Sequence, residues 1–296
     1  MVFRGEQRWA EFSPFVEYDT QESATWLEAA LSFANEDLPD LKREWIDVNA
    51  TLPAVAAWEL TSVLENFPGF RTVKIKVAQS GQVISDDLDR VRAVRNAYPN
   101  AKIRLDANGG FSVTQALELI ASLSDIELEY FEQPVATIAE LKQLRAELKA
   151  TGSPLKIAAD ESIRKASDPL LVAREGAADI AVLKMQPLGG ITKAVEIAQQ
   201  TGLDVVVSSA LESSLGIAQG LFLAAAIPEL PYDNGLWTQN LLAGDIVKEP
   251  LSVRDARIEV KEPELAPDLL EKYQASPESQ KFWMQRFQDC LDYLES

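Results

Sequence analysis

From about residue 45 to residue 237 the chain alternates short β-branched runs with longer amphipathic stretches. That rhythm limits it to a parallel sheet whose strands are joined by helical crossovers. Eight runs predict strands: 45–51, 72–77, 102–108, 127–133, 155–162, 180–186, 204–210 and 232–237. Between them, segments such as 86–98, 112–123, 138–150 and 192–200 carry apolar residues at helical spacing. Units of roughly 25–30 residues, repeated over about 200, suit a closed (β/α) barrel of the TIM type. The competing architecture, an open doubly wound sheet, usually shows a Gly-rich GxGxxG turn after an early strand, and none is present.

Outside this stretch, residues 1–44 hold a strand-like segment at 11–18 and a helix around 22–34, too little for an independent domain. Residues 45–250 are read as the barrel. Residues 251–296 add a strand-like run at 256–260 and an amphipathic helix at 277–296, expected to pack on the cap and barrel exterior.

Composition narrows the chemistry. With no histidine in 296 residues, Ser-His-Asp relays and His-ligated metals are impossible. Acid/base work near neutral pH therefore falls to lysine or to a carboxylate with a shifted pKa. Cys290 is the only cysteine, which removes disulfide frameworks and Cys-based zinc sites, and no catalytic role is expected of it. A net charge of −18 argues against nucleic acid and anionic membrane surfaces as partners. A small anionic ligand remains compatible, provided a metal or buried lysines supply local positive charge. No apolar run reaches the roughly 18–20 residues that span a bilayer, and the N-terminus lacks a signal-peptide core, so a cytoplasmic location is expected.

In the run 72–77, Val73, Ile75 and Val77 alternate with Lys74 and Lys76, so both lysines share a face. Taken alone, such a pair is better read as a solvent-facing edge strand carrying lysines against aggregation. The following strands change that reading. Arg104, Asp106 and Asn108 share one face of the next strand, Glu132 falls near the end of the one after, and Asp160 lies at the equivalent place in the third, with Glu161 directly following. Barrel active sites are built at this C-terminal end of the strands. Burying three carboxylates together is costly unless a cation is present, and an oxygen-lined site suits Mg²⁺ or Mn²⁺. Lys184 interrupts an apolar strand across the same barrel. Opposed to Lys74 and Lys76, it supplies the second member of an acid/base pair, with burial, a cation and a second ammonium expected to lower lysine pKa. The chemistry expected is removal of a proton next to a metal-held substrate carboxylate, with the metal stabilising the enediolate.

The motifs KIK, LDAN, FEQP, ADES and LK resemble the enolase superfamily, and within it the muconate-cycloisomerase subgroup. The segment 206–216 (VVSSALESSLG), together with RLDAN, GLWT and EFSPFVEY, is most similar to the o-succinylbenzoate synthases of actinobacteria. Racemases and cycloisomerases of the subgroup more often carry a glycine pair where Ser208 and Ser209 stand. The resemblance covers nearly the whole chain and implies a modified (β/α) barrel with a partial, N-terminally shortened α+β capping domain. It implies a carbon–oxygen lyase that dehydrates a cyclohexadiene carboxylate bearing hydroxyl and succinyl groups, feeding menaquinone synthesis. Carried over, Lys76 and Lys184 form the catalytic pair, with Lys76 as base and then acid and Lys184 holding the intermediate electrostatically. Asp106, Glu132 and Asp160 bind Mg²⁺, Lys74 assists electrostatically, Glu161 supports the metal ligands from behind, and Arg104, Asn108, Ser208 and Gly235 line the substrate pocket. Family members usually begin further upstream with strands carrying a mobile loop, so closure over the substrate is expected to differ here. The alternatives are N-succinylamino acid racemisation by the same lysines and a silent, ligand-binding barrel.

Overall fold

The computed structural model describes residues 1–296. The chain opens with an antiparallel hairpin, β1 (Val2–Arg4) and β2 (Trp9–Glu11), followed by helix α1 (Thr20–Asn35), which Asp19 starts by accepting a hydrogen bond from the Glu22 amide. Two short strands come next, β3 (Trp45–Asp47) and β4 (Ala50–Leu52). The repeating units are then α2 (Leu60–Leu64), β5 (Thr72–Lys76), α3 (Ile84–Ala97), β6 (Lys102–Asp106), α4 (Val113–Ser122), β7 (Leu128–Glu132), α5 (Ile138–Ala150) and β8 (Lys156–Ala159). They continue as α6 (Glu161–Arg164), α7 (Leu171–Arg174), β9 (Ile180–Leu183), α8 (Ile191–Thr201), β10 (Asp204–Val207) and α9 (Ser214–Ala226). A hairpin, β11 (Val253–Arg254) and β12 (Arg257–Glu259), and helices α10 (Pro267–Lys272) and α11 (Pro277–Glu295) end the chain.

Strands β4 to β10 form one parallel seven-stranded sheet in sequence order. Val73 and Ile75 of β5 are fully buried in the main hydrophobic cluster, which leaves Lys74 and Lys76 facing the barrel interior. Local chemistry sets the helix starts. Ser112 with Gln115, and Thr137 with Glu140, satisfy each other's orphan amides at the first turns of α4 and α5. Every residue of α9 is buried, as expected of a helix that is apolar on all sides.

Three strand expectations need correction. The run 45–51 is not one strand: β3 pairs antiparallel with β12 in a separate three-stranded sheet, and only β4 joins the barrel beside β5. Arg257 donates to the Asp47 carboxylate across that pairing, a partner more than two hundred residues away that alternation within the run does not reveal. The run 232–237 forms no regular strand. The barrel closes there through single parallel bridges, Val48 to Asn234 and Ser208 to Gly235. The Asn234 side chain replaces the missing ladder, accepting from the Val207 amide (2.8 Å) and donating to the Asp47 carbonyl (3.1 Å). Lastly, the sheet ends at Glu11, so 12–18 leaves as a loop; Pro14 has no amide to give a ladder.

Helix α11 lies along α1, and its Phe287 and Trp283 make edge-to-face contacts with Phe3 and Phe12 of the N-terminal segment. No helix is long and apolar enough to cross a membrane.

Candidate active site

Register builds the site. Lys76 lies opposite Asp106, and Asp106 opposite Glu132, so three charged residues occupy one row across three strands. Glu132 in turn faces Ala158 of β8, which places Asp160 just above the row at the strand's end. Asn108 and Gln133 adopt positive φ angles, 46° and 35°, where the chain turns off these strands. Gln133 also does unexpected support work: its carbonyl oxygen accepts from the amides of Asp160 and Ser162 (both 3.1 Å), and its amide group donates to the Ser162 hydroxyl (2.8 Å). It thereby fixes the backbone that presents Asp160.

The ammonium groups neutralise the acids in pairs. Lys74 Nζ lies 3.0 Å from Glu132 Oε1 and 3.3 Å from Asp106 Oδ2. Lys76 donates to Asp106 Oδ2 (2.5 Å) and Asn108 Oδ1 (2.9 Å). Lys184 donates to Asp160 Oδ2 (2.6 Å), while Arg164 Nε approaches the same carboxylate's Oδ1 (3.1 Å). Glu161 accepts from Asn108 (3.1 Å) and Arg164 (2.7 Å). Lys74, Asp106, Glu132, Asp160 and Lys184 are all buried.

Burial alone would depress the Lys74 ammonium, but the Glu132 and Asp106 carboxylates outweigh it and hold the group above its ordinary value. The lowering expected of a lysine here is therefore not what Lys74 shows. Asp106 goes the other way. Burial would raise it, yet Lys76 and Lys74 hold it well below the usual carboxylate range. Asp160 is likewise held low, with Lys184 and Arg164 overcoming its burial. Glu132 is pushed up to about 7, first by burial and then by the neighbouring Asp106 charge.

These acids suit a cation. Burial and then the Asp106 charge raise Glu132 to about 7 although Lys74 touches it, so a further cation would favour its ionised form. Three carboxylates are the donors that hard divalent ions prefer. As the side chains stand, each is turned towards an ammonium and the three do not gather round a common point.

A cavity of about 230 Å³ opens onto the row. Lys74, Lys76, Asp106, Asn108, Lys184, Ser208 and Gly235 line it, together with residues not anticipated, among them Phe15, Thr51, Arg164, Ser209 and Leu211. The Ser208 hydroxyl explains its glycine neighbour, since a Cβ on Gly235 would sit 2.6 Å from Ser208 Oγ. A larger cleft of about 410 Å³ lies beside it between α1 and the 163–169 loop, but it shares only Arg164 with the first and holds none of the three lysines or three acids of the row. The chemistry is in the smaller cavity.

Arg104 does not line the pocket, contrary to expectation. It sits one inward position below Asp106 and is fully buried, bonded to Glu129 (2.5 Å), Asn49 (3.0 Å) and the Asp233 carbonyl (2.6 Å), with its guanidinium 4.7 Å from the Tyr130 ring centre. Sharing a face with Asp106 put it inside the barrel, but at the closed end. Of the unanticipated residues, Arg164 had a usable signal: it follows Asp160 by four positions, one helical turn.

A family profile described as enolase C-terminal domain-like matches residues 59–267, and one described as enolase N-terminal domain-like matches 1–34. A protein of Mycobacterium tuberculosis named o-succinylbenzoate synthase is 45% identical over 294 residues, covering 99% of this chain and 88% of its own. The chain belongs to the o-succinylbenzoate synthase family of the enolase superfamily. Another o-succinylbenzoate synthase relative, from Mycolicibacterium smegmatis, is 47% identical over 287 residues, covering 97% of this chain and 87% of its own. Among solved structures, muconate cycloisomerase from Pseudomonas fluorescens superposes with a TM-score of 0.73 at 23% identity, covering 87% of this chain and 80% of that one. That likeness speaks for the fold, a modified (β/α) barrel with an N-terminal capping piece. Enzymes of the enolase superfamily depend on a divalent metal, in keeping with the acid row.

Proposed function

We propose that this o-succinylbenzoate synthase family member dehydrates a cyclohexadiene carboxylate bearing hydroxyl and succinyl groups to o-succinylbenzoate. One observation carries the reading: Lys76 and Lys184 approach one cavity from strands β5 and β9, with the acid row Asp106, Glu132 and Asp160 between them. Lys76 takes the proton next to the ring carboxylate, and the electron pair moves into the carboxylate. The same ammonium then returns the proton to the departing hydroxide, so water leaves from the face on which the proton was lost and the ring becomes aromatic. Lys184 stays protonated and stabilises the developing negative charge from the opposite wall. Lys74, paired with Glu132 and Asp106, adds positive charge beside the acid row and helps hold Asp106 ionised.

Asp106, Glu132 and Asp160 would hold Mg²⁺, with Mn²⁺ able to replace it, and Glu161 would support them through Asn108 and Arg164. The cation supplies Lewis-acid charge that favours proton loss beside a carboxylate. Asn108, Ser208 and Gly235 position the polar groups of the substrate, and the apolar side of the cavity, Phe15, Leu211 and Leu241, receives the ring and methylene carbons.

An ultraviolet assay for aromatisation, run with and without Mg²⁺, tests this reading. Rapid cation-dependent product formation that stops with a chelator and resumes on adding metal is expected. Racemisation of N-succinylamino acids with no dehydration would replace the reading with the two-base alternative.

A further inference from the structure

One wall of the cavity comes from outside the barrel: Phe15, in the loop that leaves β2 and crosses the mouth towards α1. Two arginines from distant parts of the chain hold this loop. On its outer side, Arg286 of α11 donates to the carbonyls of Phe15 (2.9 Å), Val16 (3.0 Å) and Tyr18 (2.5 Å) and to the Ser23 hydroxyl (2.7 Å). On the barrel side, Arg164 divides its nitrogens among three partners: Asp160, Glu161 and the Tyr18 hydroxyl. Its guanidinium also lies 6.0 Å from the Phe15 ring centre. Phe15, Tyr18 and Trp26 pack edge to face at 5.3–6.1 Å, so one aromatic cluster joins the loop to α1. Only 7% of the Arg164 side chain is exposed, and a fork held this way cannot turn towards one partner without releasing another.

We propose that Arg164 and Arg286 are positioning residues: Arg286 sets the height of the Phe15 wall from the C-terminal helix, and Arg164 locks that wall, through Tyr18, to the carboxylate of Asp160. The proposal rests on the dehydration reading for its kinetic consequences but not for its structural one. Cutting the link on the loop side loosens the wall alone. Cutting it at Arg164 also removes one of the two cations that hold the Asp160 carboxylate, leaving Lys184 alone on it, and so changes cation binding.

The experiment uses the full chain with Arg286→Gln, Tyr18→Phe and Arg164→Met, in three readouts. Hydrogen exchange of the substrate-free protein reports the tether directly, and faster exchange confined to residues 12–18 is expected in the first two variants. In steady-state kinetics these two are expected to raise KM about five- to ten-fold, the size of one lost hydrogen bond, with kcat within about two-fold. Equilibrium binding of Mn²⁺ without substrate is expected to be unchanged in these two and weakened about five-fold or more in Arg164→Met, where a hydrogen bond to a charged group is lost. Unchanged exchange at 12–18 in both loop-side variants overturns the tether. A fall in kcat at constant KM, or undiminished Mn²⁺ binding in Arg164→Met, overturns the positioning roles. Should Arg286→Gln fail to fold, Tyr18→Phe, which removes a single hydroxyl, carries the test. If the wild-type chain does not dehydrate the substrate, the functional reading fails while the exchange and Mn²⁺ results still decide the tether.

Discussion

The two ends of the barrel interior are both lined with charge, yet only one is built to react. At the closed end Arg104 is balanced by Glu129, an asparagine oxygen, a backbone carbonyl and the faces of Tyr130 and Tyr232. It has no access to solvent. At the mouth, two residues along the same strand face, Asp106 and its neighbours open onto a cavity, and Glu132 remains raised to about 7 despite its lysine. An inward charge therefore marks a site only where a ligand can reach it. The closed end is a structural ion pair, whose value lies in not being broken.

Replacing one lysine at the mouth should separate the two ends most sharply. Lys76→Ala is expected to lower kcat by about 10³–10⁴-fold, the upper range for loss of a general acid–base group, while thermal unfolding stays close to wild type. Dehydration at more than a tenth of the normal rate would remove Lys76 from the mechanism. Arg104→Met should do the reverse, costing about 1–3 kcal/mol of stability in denaturant titrations, because Asn49 and the Asp233 carbonyl lose their buried donor while Lys102 still reaches Glu129. If the folded fraction of that variant has lost turnover outright, the closed end is not merely structural.

A smaller effect concerns pH. Glu132, raised to about 7 in the metal-free fold, binds a proton that the unfolded chain has already released, so metal-free stability should increase as pH falls from about 7 towards the ordinary carboxylate value. Glu212, pushed to about 7 by burial and then by Glu11, adds the same trend but lies outside the acid row. A bound cation requires ionised Glu132 and cancels only its share. Apparent Mg²⁺ affinity, followed by thermal shift, should therefore weaken about five-fold between pH 7 and pH 6. Equal affinity at both pH values would mean that Glu132 is not a ligand. The smallest change expected is for Ser208→Ala, about a three- to ten-fold rise in KM with kcat nearly intact, as for one lost hydrogen bond to substrate. A kcat effect larger than the KM effect would place Ser208 in the chemical step instead.

Much of the mouth was legible because strand alternation is a local property. Val73 and Ile75 against Lys74 and Lys76 state which side chains turn inward, and Asp106, Glu132 and Asp160 each stand where a short strand run gives way to turn residues. Arg104 obeyed the same alternation and was nevertheless misplaced, since period two reports the face of a strand and not the height along the barrel axis. Phe15 and Arg286 carried no local signal, since Phe15 meets the cavity, and Arg286 meets Phe15, only across segments distant in sequence.

By itself, then, the amino-acid order determined the class of fold, the inward faces of its strands and a chemistry restricted to lysine and carboxylate by the lack of histidine. Tertiary structure decided which strands sit side by side, which arginine supports a wall and which lies at the floor, and how Asn234 closes the barrel without a strand. The division has a physical cause. Side-chain direction follows from neighbouring residues along the backbone, whereas register, burial and charge balance depend on hydrogen bonds between segments that meet only when the whole chain has folded.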